Sequence, residues 1–94
     1  MKSGSKEQME KGDINYRIKE TVNMLLQIEK DISVPKNIRE KIKTAILALQ
    51  ESNKNTKVMV NKSLQELDDI SDDPNVPIYT RTQIWNVVSI LETL

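Results

Sequence analysis

The 94-residue sequence contains no cysteine, no histidine and no phenylalanine. Without cysteine there is no disulfide framework and no zinc site built on thiolates. Without histidine the commonest general base is missing, and with it the Ser-His and Cys-His pairs and most transition-metal sites. Aromatic residues make up 3% of the chain, too few to interleave a base-stacking surface. Only two glycines are present, and no glycine-rich phosphate loop can be read among them. The longest apolar run is Ala45 to Leu49, far short of the ~20 residues that cross a bilayer. The opening Met1-Lys2-Ser3-Gly4-Ser5-Lys6 is charged and has no apolar stretch behind it, unlike a secretory signal, so a cytoplasmic location is expected. Charge of one sign is lacking too. Fourteen Lys and Arg balance fourteen Asp and Glu, which leaves no global attraction to nucleic acid or anionic lipid.

What remains is helical. The length fits one domain. Apolar residues recur at spacings of three and four in four segments, beginning at Ile14, Ile38, Val60 and Ile84. The spacing predicts helices over 13–31, 35–51, 56–71 and 77–93. Pro35 and Pro77 push Val34 and Val76 out of the helical region and suit the first helical position. Asn55 or Thr56 suits the cap of the third helix. Residues 1–12 read as a polar segment, partly helical or frayed, with Ser5 and Gln8 at capping-box spacing. The domain proper is 13–94, made of hairpins 13–51 and 56–94.

The two hairpins repeat. At an offset of 42 residues, Val34-Pro35 falls on Val76-Pro77, Asp31 on Asp73 and Arg39 on Arg81. Ile18, Val22, Leu25 and Ile28 fall on Val60, Leu64, Leu67 and Ile70, and Ile42, Ile46 and Leu49 on Ile84, Val88 and Leu91. The expected core is Ile18, Val22, Leu25, Ile28, Ile42, Ile46, Leu49, Leu64, Leu67, Ile70, Ile84, Val88 and Leu91. Each hairpin is similar to a HEAT-type helical repeat. Two such units are too few for a solenoid, so the expected fold is an all-α antiparallel four-helix bundle of two duplicated HEAT-like hairpins.

Ser33-Val34-Pro35, Asn37-Ile38-Arg39, Ile70-Ser71, Asp73-Pro74-Asn75, Arg81-Thr82 and Ile84-Trp85-Asn86 resemble a family of small archaeal uncharacterised proteins, numbered one hundred and forty-seven. The resemblance covers roughly residues 14–94. It departs over 52–60, where the family leads one to expect an acidic, proline-containing loop and the chain has Asn53-Lys54-Asn55-Thr56. It implies an all-helical fold and no activity.

No residues read as catalytic, cofactor-binding or metal-binding, and an enzyme is not expected. Glu66, Asp68, Asp69, Asp72 and Asp73 lack the calcium-loop pattern and its glycine. They read instead as a solvated face and as charge before the fourth helix. Asp31 with Arg39 and Asp73 with Arg81 read as structural polar pairs, because they recur at the same place in both hairpins. Two functional readings remain. Residues 1–62 carry thirteen basic and eight acidic side chains, whereas 63–94 carry one and six. Lys36, Lys41, Lys43, Lys54, Lys57 and Lys62 therefore offer a weak basis for RNA or other nucleic-acid association. Against this stand the scarce arginine and the acidic second half. The favoured reading is a protein-interaction or self-associating module acting through helix four. Beyond the core arc of Ile84, Val87, Val88 and Leu91, that helix carries Ile78 and Trp85 on one flank and Tyr79, Ile90 and Leu94 on the other. Trp85 falls on Lys43 and Tyr79 on Asn37 in the sister hairpin. The surplus needs a cover, either the N-terminal segment around Met9 or a partner protein or second copy.

Overall fold

A computed structural model describes residues 2–51 and 55–94, with side chains from residue 14 onward. Four helices follow in order: α1 (Lys2–Glu29), α2 (Lys36–Leu49), α3 (Thr56–Ser71) and α4 (Ile78–Glu92). Among the described residues there is no strand. Each helix packs on the next, and α4 returns to pack on α1, which closes the ring. Among the described residues the diagonal pairs α1–α3 and α2–α4, which a stacked solenoid would bring together, do not meet. The result is an antiparallel four-helix bundle.

The first helix is longer than the 13–31 periodicity indicates, and runs without a break across position 12. The side chains of Ser5, Gln8 and Met9 lie outside the described residues, and so does the docking of Met9 on α4. Pro35 and Pro77 stand one place earlier than expected. They are N-caps with ψ of 146° and 149°, and their carbonyls accept from Arg39 N and Arg81 N at 3.0 and 2.9 Å. The extended ψ keeps the proline outside the helix while its carbonyl opens the ladder. Asn55 caps α3, its side chain accepting from Val58 N at 2.9 Å.

The duplication is visible in hydrogen bonds. In the α1–α2 turn, Asp31 N donates to Ile28 O (3.1 Å) and Val34 N to Asp31 O (3.1 Å). In the α3–α4 turn, Asp73 N donates to Ile70 O (3.0 Å) and Val76 N to Asp73 O (3.2 Å). Each aspartate closes its own turn: Asp31 Oδ1 accepts from Ser33 N at 3.0 Å, and Asp73 Oδ1 from Asn75 N at 2.9 Å. Ser33 also donates its hydroxyl to Asp31 at 2.6 Å. The Ser33 hydroxyl and amide together hold the Asp31 carboxyl below its usual value; slight desolvation opposes them and Arg39 adds a smaller downward pull. The arginines do not clamp the carboxylates. Arg39 Nε donates to Val34 O and Arg81 Nη2 to Asp73 O, both at 3.0 Å, tying each second helix to the backbone of its turn. Arg81, reaching further back, leaves Nε buried without a partner.

The core holds Val22, Leu25, Ile28, Ile42, Ile46, Leu49, Leu67, Ile70, Ile84 and Leu91, all expected. It also holds Val34 and Val76, since the Val-Pro turns fold inward, with Ile38, Ala45, Val60 and Val87. Three expected core residues, Ile18, Leu64 and Val88, are only partly buried. The last two lie where the bundle is open. Thr21 and Ser63, equivalent by the repeat, are both buried, and their hydroxyls bond to carbonyls of their own helices.

Candidate interaction surface on helix four

Where α4 meets α1, Arg17 Nη1 donates to Thr93 Oγ1 at 2.7 Å, and Tyr16, Arg17 and Glu20 face Ser89, Ile90 and Thr93. This antiparallel register brings the C-terminal end of α1 beside the N-terminal end of α4. Of the apolar residues proposed for the surface, Ile90 is half-buried in this seam. Leu94 is half-buried too and packs against the core. The other three are open: Ile78 is 84% exposed, Tyr79 71% and Trp85 55%. Ile32, in the α1–α2 turn at the same end of the bundle, is 88% exposed. Its spacing continues the core stripe of α1, but that helix stops at Glu29 and leaves Ile32 in the turn.

The repeat supplies an internal control. Lys36, Asn37 and Lys43 stand where α4 has Ile78, Tyr79 and Trp85, and all three are exposed. These are solvent positions of the fold, so apolar residues there are not needed to close the bundle. Ile78 and Trp85 lie two turns apart on one side of α4, the side facing α3.

On that side the bundle is open. A groove of about 620 Å³ runs between α3 and α4. Leu64 and Val88 form its floor, and Trp85, Asp68 and Glu92 stand on its walls. The sister hairpin shows why. Val22 and Ile46, equivalent to Leu64 and Val88, are buried, and Leu26, equivalent to Asp68, packs against the core. Replacing that leucine by aspartate opens the seam. Asp68→Leu is accordingly expected to stabilise the protein by about 1 kcal/mol, read as a higher urea midpoint, because a leucine there covers the floor. An unchanged midpoint would mean that Asp68 does not hold the seam open.

Asp68 is placed against local electrostatics as well. It lies in the last turn of α3, where the helix dipole disfavours a carboxylate. Its neighbour Asp69 pairs with Lys41 at 3.1 Å, but among the described residues neither Asp68 nor Glu92 has an ion-pair partner. Asp73, also singled out in the acidic run, is committed to its turn. No group of three acidic side chains converges as a metal site among the described residues. On the basic half, Lys36 and Lys43 share a cleft with Glu29 and Glu40, and Lys57 is exposed. Lys54 lies outside the described residues.

The profile of the family described as "Uncharacterised protein family (UPF0147)" matches residues 4–94. The chain belongs to UPF0147. A UPF0147 protein of Sulfurisphaera tokodaii is 45% identical over 82 residues, which is 87% of this chain and 92% of that protein. One from Aeropyrum pernix is 37% identical over 82 residues, 87% of this chain and 90% of that protein. Two crystal structures share the fold. One, of "unknown function protein MMP1188", matches with a TM-score of 0.81 at 46% identity, covering 83% of this chain and 89% of that one. The other, a UPF0147 protein from Thermoplasma acidophilum, also has a TM-score of 0.81, at 31% identity over 85% of this chain and 94% of that one. The family's uncharacterised description and the name of the first structure attach no function to the fold. The functional reading therefore rests on the α4 surface.

Proposed function

We propose that this UPF0147 member is a non-catalytic protein-interaction module of the cytoplasm, working through the exposed face of α4. One observation carries the reading. Ile78, Tyr79 and Trp85 are open to solvent at positions where the sister helix has Lys36, Asn37 and Lys43. Tryptophan and tyrosine are the residues that most often anchor interface hot spots. The hydroxyls of Thr21, Ser63 and Ser71 are committed to backbone carbonyls of their own helices rather than poised as nucleophiles. Among the described residues no helix is long and apolar enough to cross a membrane.

The test compares the native chain with Trp85→Lys as bait in extract of the source organism, with sedimentation of both at micromolar concentration. The variant alters an exposed position at which the repeat already carries lysine, so its unfolding free energy in urea is expected to stay within about 0.5 kcal/mol of the parent. A protein held by the native chain and lost at least tenfold from the variant, or a dimer that the variant dissociates, is the expected result. A strict monomer that retains the same proteins with or without Trp85 would end the reading.

A further inference from the structure

We infer that the α3–α4 groove takes a cationic amphipathic helix from another protein. Its apolar side chains lie on Leu64 and Val88, and a lysine or arginine crosses the Trp85 ring toward Asp68 and Glu92. The inference rests on the reading of α4 as an interaction surface and names the chemistry of what binds there. The groove follows the seam from Asn61 to Ser71, three turns or about 15 Å of α3, a length that suits a short helix laid along it. Its floor is apolar and its charged walls are acidic. Arg81 is the single basic residue between positions 63 and 94, and it is spent on Asp73 O. Lys57, in the first turn of α3, lines an adjoining cleft with Glu92, but among the described residues no cation forms an ion pair with Asp68 or Glu92. Trp85 adds a π face, which attracts a cation and covers its aliphatic stem.

The same charges argue against the other occupants. A second copy docking groove to groove would bring four carboxylates together. Docking its basic hairpin into the groove would join opposite sides of the ring, since the α1–α2 and α3–α4 seams are not adjacent. Such a head-to-tail contact gives an open chain or a larger ring of molecules rather than a closed dimer. A nucleic-acid backbone meets the wrong sign of charge.

The experiment is a selection of random tryptophan-free sixteen-residue peptides on the full-length native chain, followed by synthesis of the enriched peptides. Trp85 is the sole tryptophan, so its emission reports this groove alone. The expected outcome is enrichment of lysine and arginine on one face of an amphipathic pattern, with a saturable change in Trp85 emission. The paired variant Asp68→Asn, Glu92→Gln, which keeps shape and removes charge, is expected to weaken binding about tenfold, an effect lessened by salt. Enriched peptides that move Trp85 emission but are neutral or acidic would overturn the cationic assignment while leaving α4 as an interaction face. Enriched peptides indifferent to Trp85, or no enrichment, would overturn both. Peptides bound equally well by the paired variant would overturn the role given to the two carboxylates.

Discussion

Leu67→Ala is expected to cost about 2–5 kcal/mol of folding free energy, read from urea unfolding. Leu67 is fully buried near the C-terminal end of α3, in the core that this helix shares with α2 and α4. Truncation removes the transfer free energy of the lost carbons and leaves a cavity that packed helices cannot collapse to fill. A domain of this size has ~5–15 kcal/mol in total, so the loss is a large share of its stability. The repeat makes the test internal: Leu25, the equivalent in α1, is equally buried, and Leu25→Ala is expected in the same range. Leu64→Ala, three residues before Leu67 but on the open groove, is expected to cost less than either. Equal losses at 64 and 67 would contradict the open seam.

Ser63→Leu is expected to destabilise by about 1–3 kcal/mol, measured in the same way, through overpacking. Ser63 is completely buried, with its hydroxyl on Val60 O at 3.0 Å. A small residue at this point lets α3 sit close to its neighbours, and the added carbons of leucine have no space. Ser63→Thr is expected to be nearly neutral, since Thr21 occupies the equivalent place in α1 with its hydroxyl on the Arg17 and Ile18 carbonyls. A leucine tolerated at 63 would mean that the packing there is looser than the burial indicates.

Much of the fold was legible because its two strongest signals agree. The three-and-four spacing marked four helices, and the Val-Pro steps marked two of the breaks, as the extended ψ of Pro35 and Pro77 explains. The offset of 42 aligned the two aspartate-containing turns, whereas the closing of each turn by the aspartate Oδ1 is a feature of the structure. The missed features share a cause. Periodicity gives the direction in which a side chain points and not how closely the neighbouring helix approaches. Val88 and Leu64 point inward yet are half-covered, because their neighbour is Asp68 rather than a leucine. Thr21 and Ser63 were invisible as core because a hydroxyl reads as polar until its bond to the preceding turn is seen. Ile90 and Leu94 had the same apolar signal as Trp85, and only the packing of α1 against α4 and of the chain end on the core separates them. Of the candidate surface, the surplus of apolar residues on α4 was legible in sequence, whereas the groove beside it, which depends on two helices at once, was not.

Collisional quenching of Trp85 fluorescence tests most directly whether the α3–α4 groove is open and negatively charged. Acrylamide, which is neutral, is expected to quench Trp85 readily in the native chain. Iodide is expected to quench it several-fold less well, because Asp68 and Glu92 hold an anion away, and to recover when both are neutralised as Asp68→Asn and Glu92→Gln. A Trp85 that acrylamide does not reach, or one that iodide quenches equally before and after the carboxylates are neutralised, would contradict an open, negatively charged groove.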